Sequence, residues 1–520
     1  MSIRTNAVAL AAVAALGCGT RSASWDAPID VVGPVVAANE LVWLNRSQSV
    51  AEVLDPSGAK LPMGLDVLAL PRTLAATPNG FVITGGRGDA PLFDAISLPD
   101  GTRRSLTVGG AYDHIAVSDD GHYAVLSFDP AIAPAPGGPA ARNNNQITVV
   151  DLFAFTQTTL SLNTESLAPE KVIFSPGDPV AAVVMDGTIV LLALDQPTHQ
   201  VQVPLKLPDG TVLHPQQTLF APDGKYLYVR TANSDDVLAL EVDVSDAGIE
   251  SAVNFLFFPG ASGLVDIAVP QGAGFNRYVA ALYQGAGSGT AALLDATGNT
   301  SLTHVFSSLA GVPSHFADLG GGALLIYPSS GTAVAGWEPL VDRTDTDILP
   351  AAPNGSPLVS HGHAFFVHAS VSTSAGAAAE LSGVTLVDDG SRLVLHQSPL
   401  ELDGSPTASA IDPASGLLLL GVPVNAMGSG AAPVPGEDPN DTSRITGSVV
   451  TVQPDSLALG GLVLDDGVVQ MGVAGTFGFA THQSALGDVT FFPLQGASRA
   501  DAMRVYGFLA GHLADQGQTP

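Results

Sequence analysis

Short strands joined by tight turns, recurring about every 48 residues, predict an all-β chain folded as a β-propeller of four-stranded antiparallel blades. Three observations carry this reading. From Val31 onward, short apolar runs alternate with Gly, Pro, Asn and Asp clusters, and no helix-period segment exceeds two turns. A turn followed by an apolar strand recurs ten times. One unit, 217–259, shows all four strands in a single stretch.

That unit explains the others. Gln217-Thr-Leu-Phe220 runs into the turn Ala221-Pro222-Asp223-Gly224. Proline at the second turn position has its φ preset, and glycine at the fourth tolerates the conformation that leaves a type I turn. In Lys225-Tyr-Leu-Tyr-Val-Arg-Thr231, Leu227 and Val229 alternate with more polar neighbours, a period of two. Val237-Leu-Ala-Leu-Glu-Val242 is nearly all apolar, as expected of a strand covered on both faces. Asn254-Phe-Leu-Phe-Phe258 ends the unit.

Aligned on the same turn, the series runs Ala38-Asn39, Pro78-Asn79-Gly80, Asp119-Asp120-Gly121, Pro176-Gly177 and Pro222-Asp223-Gly224. It continues with Gly272-Ala273-Gly274, Gly320-Gly321-Gly322, His361-Gly362, Pro413-Ala414-Ser415-Gly416 and Ala474-Gly475. Asn39 to Gly475 is 436 residues in nine intervals, about 48 each. Propellers typically have about four to eight blades. Ten units are therefore compatible with one large ring, two rings in tandem, or a ring of seven or eight blades in which some units are insertions. No compositional break marks a second domain. The Pro/Ala-rich segment 129–146 and the Gly/Pro/acid-rich segment 427–443 fit inside units as surface loops.

The N-terminus has the character of an export signal. Arg4 is the only charge in residues 1–17, and Ala7 to Leu16 is an apolar run of ten, too short to span a bilayer. It ends Ala15-Leu16-Gly17-Cys18. This resembles the lipobox of bacterial lipoproteins, with Leu16 one place later than in the commonest form. The resemblance implies cleavage before Cys18 and acylation of its thiol. Cys18 is the only cysteine, so a disulfide within the chain is excluded. The expected organisation is a lipoprotein signal peptide at 1–17, a tether at 18–30 and a propeller domain at 31–515.

Charge narrows the function classes. The full chain carries a net charge of −30, and removal of residues 1–17 leaves 18 basic against 49 acidic residues, or −31. Such a chain does not bind nucleic acid through phosphate neutralisation. It is repelled by anionic membrane surfaces, so contact with the membrane is expected through the lipid anchor alone. No second apolar run reaches the length of a transmembrane helix.

Ala221-Pro-Asp-Gly-Lys-Tyr-Leu-Tyr-Val229, followed by Asn233-Ser-Asp-Asp-Val-Leu-Ala-Leu240, resembles the YVTN-type, WD40-like repeat of surface and secreted bacterial proteins. The unit from Ser118-Asp119-Asp120-Gly121 to Ile147-Thr-Val-Val-Asp-Leu152 is a looser match. The resemblance implies a propeller fold and leaves activity open, because propellers host many functions.

No catalytic signature stands out. There is no Gly-x-Ser-x-Gly elbow, no His-Glu-x-x-His and no paired-cysteine motif. His361 and His363, two apart with His368 beyond, have the spacing of metal ligands on one strand face, but a turn entering a strand explains them equally. Asp438, Asn440 and Asp441, beside Glu437, offer the oxygen ligands calcium prefers, as do Asp342, Asp345 and Asp347. Neither set has EF-hand spacing, and acidic turns are also expected as solvated surface in so acidic a chain. Single histidines such as His114 and His482 carry little on their own. Trp25, Trp43 and Trp337 are too dispersed for a sugar-stacking platform, and Trp43 is expected in the core.

The expectation is an exported lipoprotein, anchored to the cell envelope at the outer membrane or cell surface. Its propeller serves as a binding scaffold for a protein, peptide or glycan, without a required cofactor. The alternatives are a propeller enzyme of lactonase or hydrolase type and a purely structural envelope component. A single acyl chain binds membranes only marginally, at about 0.8 kcal/mol per buried methylene, so stable anchoring needs more than one. Cys18→Ser is predicted to leave the propeller folded but to release it from the membrane fraction, or to leave an unprocessed precursor. Mass spectrometry of the mature N-terminus checks this; an unmodified thiol on Cys18, or a start other than residue 18, would overturn it.

Overall fold

The computed structural model describes residues 29–510 outside short internal segments, the longest of which is 424–445. Among the described residues there is no α-helix. Ten four-stranded antiparallel sheets follow one another along the chain. Numbered as blades 1 to 10, they span 31–66, 73–107, 114–161, 171–204, 215–256, 264–306, 314–348, 358–402, 408–464 and 468–506. In nine blades the four strands are consecutive. In blade 5 the hairpin of Asp243–Ser245 and Gly248–Glu250 stands between the third and fourth strands. The sequence does not signal that hairpin.

Every turn in the series read from the sequence joins the first strand of a blade to its second. Each unit contains four strands, so none is an insertion. The seven- or eight-blade alternative is thereby corrected to ten.

The apolar side chains explain how the blades assemble. Among the described residues they form ten clusters, nine of which each unite two blades adjacent in the chain. Period-two alternation sends one set of a strand's residues to each neighbour. In Glu40–Asn45, Val42 and Leu44 pack toward blade 2, whereas Leu41 and Trp43 pack toward blade 10. A sheet covered on both faces needs apolar residues at every position, which accounts for the unbroken run in Val180–Met185.

The tenth cluster closes one ring. It joins Leu41, Trp43 and Leu54 of blade 1 to Phe479, Val489 and Phe491 of blade 10. Trp43 and Phe508 lie with ring centroids 4.7 Å apart. Asn45 Nδ2 donates to the Leu509 carbonyl at 3.0 Å. The strands Val31–Ala37 and Met503–Tyr506 thus lie in adjacent blades. Ile29 packs against this seam, and Asp30 pairs with Arg46 at 2.6 Å. Both residues fall in the segment expected to be tether and contact the first blade's side of the seam.

Burial falls from the third strand to the fourth. The third strand of blade 4, Thr188–Ala193, is wholly buried, while the fourth, Gln200–Pro204, is mostly exposed or half-buried. Blade 3 shows the same step from Gln146–Asp151 to Thr156–Ser161. First strands of neighbouring blades are bridged near the axis. Gln217 exchanges hydrogen bonds with the Ile267 backbone at 2.7 and 3.1 Å, and the Asp266 carboxylate accepts from Phe316 N at 2.7 Å.

Connections from first to second and from third to fourth strands lie on one face, here the turn face. Connections from second to third strands and between blades lie on the other, the loop face. On the turn face, turns of neighbouring blades touch. Gly224 has φ +76°, and a Cβ there would sit 2.1 Å from Ser175 Oγ of blade 4. Gly475 has φ +61° and lies against Asn39 across the seam. Both positions need glycine for conformation and for close approach.

One buried acid stands apart. Glu52 is 5% exposed, lies opposite Trp43 and Gly64, and its Oε1 makes no hydrogen bond. Gly64 leaves the carboxyl room, since a Cβ there would stand 3.4 Å from Oε2. Burial pushes the Glu52 carboxyl up from 4.5 to about 7. The folded state therefore holds this proton more tightly than the unfolded state. The associated stability is present below pH 4.5, declines as pH rises, and is lost above about 7. Denaturant unfolding at pH 5 and pH 8 is predicted to show a loss on the order of 3 kcal/mol from this group at the higher pH. Glu52→Gln should remove that part of the pH dependence.

Candidate functional site

A cleft opens on the loop face between blades 3 and 4, with a cavity volume of about 480 Å³. Its floor is apolar, formed by Phe128, Leu167 and Val172. Its rim is charged. His114 opens the first strand of blade 3, and Glu170 and Lys171 stand where blade 4 begins. Asp129 follows the second strand of blade 3, and Asp186 follows that of blade 4. At the mouth, His214 Nδ1 hydrogen-bonds Asp186 Oδ1. His214 lies just before blade 5, so this pair links two blades. Both side chains are about half exposed, at 51% and 52%. A ligand can therefore reach the imidazole and the carboxylate.

The wall is built around a buried aspartate. Asp113 immediately precedes His114, and its side chain is 1% exposed. Arg72 grips one carboxylate oxygen, and Arg142 Nη1 donates to the other at 2.8 Å. Each arginine also serves the loop that begins at Asp129. Arg142 donates to the carbonyls of Asp129 and Ile132, the latter at 2.8 Å, and to Asn144 Oδ1 at 3.1 Å. Arg72 donates to the Ala133 carbonyl at 2.9 Å. Loop carbonyls have no sheet partner, and the fixed fork of a guanidinium satisfies several of them together. The Arg142 guanidinium also lies over Phe128, 4.8 Å from the ring centroid.

The floor is held from beneath. Phe128 packs on Tyr112 with centroids 4.6 Å apart. The Tyr112 hydroxyl shares a 2.7 Å hydrogen bond with Thr148 Oγ1, and burial pushes its phenol up to about 12. Thr84 Oγ1 of blade 2 donates to the Tyr112 carbonyl at 2.8 Å. The cleft is thus pre-shaped by contacts from three blades.

The residues singled out from the sequence fare unevenly. Cys18 and Trp25 lie outside the described residues, as do Glu437, Asp438, Asn440 and Asp441. The trio Asp342, Asp345 and Asp347 is dispersed. Asp342 faces His304 at 3.2 Å, Asp345 accepts from Leu395 N of blade 8 at 2.7 Å, and Asp347 accepts from Ile348 N. The histidines are separated too. His361 occupies the turn, His363 faces Asp455 at 3.4 Å, and His368 is buried with Nδ1 on the Ala352 carbonyl at 3.1 Å. Among the described residues no three His, Cys, Asp or Glu side chains gather as a metal site. Trp43 and Trp337 are core residues. His482 is buried, bonded to Thr490 Oγ1 at 2.8 Å. Only His114, a lone histidine in sequence, reaches the cleft.

Arg72, Asp113, Arg142, Asp186 and His214 were missed by motif reading. Their partners lie 28 to 41 residues away, in other blades or loops. The usable signal was Arg142 itself, a cation within a Pro/Ala-rich loop of a chain with only 19 basic residues.

No protein-family model matches the chain, and no curated protein matches it. Solved structures similar to it include a eukaryotic initiation factor at 11% identity and TM-score 0.44, covering 84% of this chain and 97% of that one. Dihydro-heme d1 dehydrogenase NirN, in complex with DHE, is similar at 12% identity and TM-score 0.39, over 77% and 76% of the two chains. Virginiamycin B lyase from Staphylococcus aureus is similar at 13% identity and TM-score 0.31, over 57% and 90%. The WD40 repeats of RRP9 are among the similar structures as well. The chain folds as a β-propeller, an assignment that rests on its ten four-stranded sheets and the closed series of interfaces between them. Nothing about activity follows from similarities at this level.

Removing the charge of Asp113 leaves two arginines facing each other in a buried site. Breaking a buried ion pair on one side costs about 3–5 kcal/mol. Asp113→Asn is predicted to destabilise the ring by an amount in that range. It should also raise hydrogen exchange in the loop that begins at Asp129, which deuterium-exchange mass spectrometry would read directly.

Proposed function

We propose that this protein is an exported envelope lipoprotein, held by acyl chains on Cys18, whose propeller binds a peptide segment of a partner protein in the cleft between blades 3 and 4. The observation that carries the binding reading is the pre-shaped cleft, with its apolar Phe128 floor and charged rim. Rigid scaffolds that present concave, mostly apolar pockets with a few fixed polar groups are recognition sites. The rim holds Asp129, Glu170 and Asp186 against Lys171 and the histidines. It therefore favours a segment that places an apolar side chain on the floor and a basic group at the rim. The net charge of −30 steers basic partners toward the ring over distance. The anchor reading is supported by the Ala15-Leu16-Gly17-Cys18 sequence and by the single cysteine.

One observation favours a second reading, an enzyme of hydrolase type. The His214–Asp186 pair is an imidazole oriented by a carboxylate at the mouth of the cleft, the arrangement of a general base.

The two readings separate experimentally. Binding of fluorescent peptides with an Arg or Lys beside a Leu or Phe is predicted to weaken tenfold or more (about 1.4 kcal/mol) in Glu170→Lys. Peptides without the basic residue should be little affected. Equal binding by parent and variant, measured by fluorescence anisotropy, would sink the peptide reading. Hydrolysis of a p-nitrophenyl ester that disappears in His214→Gln would establish the enzyme reading instead.

A further inference from the structure

The turn face carries a second, shallower site between blades 5 and 6, with a cavity volume of about 500 Å³. Tyr226 and Tyr278 hold equivalent places in the repeat, each the first residue of its blade's second strand. Both tyrosines are half-buried. Arg277 stands beside them, its guanidinium 5.2 Å from the Tyr278 ring centroid and 3.1 Å from the Tyr278 hydroxyl. It also pairs with the buried Asp295 at 3.1 Å. Asp223, Asn276 and Thr297 complete the lining.

The chemistry of this lining narrows the ligand. Asp295, paired with Arg277, offsets its charge, Asp223 adds a negative one, and the chain as a whole is strongly acidic, so an anion is disfavoured. At Tyr278 the ring that would hold a cationic ligand is already engaged by Arg277, which also sets a positive charge beside the site. Both flanking strands are paired on each side, so no free edge offers backbone hydrogen bonds to an extended peptide. What remains complementary is a neutral, hydroxyl-rich ring. Tyrosine offers an apolar face with a polar tip, and planar amide, carboxylate and guanidinium groups suit adjacent hydroxyl pairs. We infer that the Tyr226–Arg277–Tyr278 site on the turn face binds a neutral carbohydrate. The site lies on the face opposite the cleft and stands independently of the peptide reading.

Saturation-transfer NMR on the purified full chain tests this with three neutral disaccharides: cellobiose, maltose and N,N′-diacetylchitobiose. At least one is expected to receive saturation at millimolar concentration. Its affinity should fall about tenfold in Tyr226→Ala, the scale expected for loss of one aromatic contact. Arg277→Ala alters a residue whose side chain is 55% exposed and should also weaken binding, while Tyr226→Phe, which keeps the ring, should largely retain it. Absence of transfer to all three sugars would overturn the inference. So would transfer that is unchanged in both alanine variants.

Discussion

Every blade in this ring is covered on both faces, and the rest of the structure depends on that constraint. A four-stranded sheet with two neighbours must be apolar on both sides of its inner strands, and each apolar face is buried only if the next blade is present. Blades 1 and 10 each have one face without a sequence neighbour. The ring satisfies both at once by packing them together through Trp43, Phe479, Phe491 and Phe508. The hydrophobic effect is non-directional, so it drives closure without fixing register. Register at the seam comes from directional contacts, the Asn45–Leu509 hydrogen bond and the approach of Gly475 to Asn39.

Cations are scarce in this chain, and several are placed where an acid is buried. Asp94 has a fully buried side chain and meets Arg103 at 2.6 Å. Asp113 meets Arg72 and Arg142, Asp295 meets Arg277, and Asp488 meets Arg504. An uncompensated carboxylate inside a protein is costly, whereas one in water is not. Asp266 and Asp412 are buried as well and accept backbone hydrogen bonds, Glu52 is buried beside Trp43, and the acids at the surface give the molecule its negative field. At the cleft the same economy has a geometric consequence: Asp113 aligns two arginines, and these hold a loop that has few large apolar side chains of its own.

The two faces differ because their connections differ. Tight turns dominate the turn face, and they hold strand ends such as Tyr226 and Tyr278 in fixed, repeating positions. The loop face receives the connections between blades and the long loop of blade 3, so its features are individual to each blade. The cleft belongs to that second kind. Its parts come from the start of blade 3, the start of blade 4 and the connection to blade 5.

What the sequence determined by itself was local and periodic. Glycine, proline and asparagine at recurring turns, and period-two runs between them, specify strands and their spacing through backbone sterics alone. That made all ten blades countable and placed Trp43 in the core. Whether ten units make one ring or two depends on which faces meet, and only the tertiary structure decided it. The Gln217–Ile267 and Asp266–Phe316 bridges each span 50 residues, about one blade repeat, yet no residue pattern marks them. The cleft was less legible still. His114, Asp113, Arg142, Asp186 and His214 are unremarkable one at a time, and their chemistry arises from juxtaposition across blades, which a linear pattern does not encode. The histidine and aspartate clusters that did stand out in sequence are neighbours along strands and turns, where hydrogen bonds and ion pairs give their side chains separate partners.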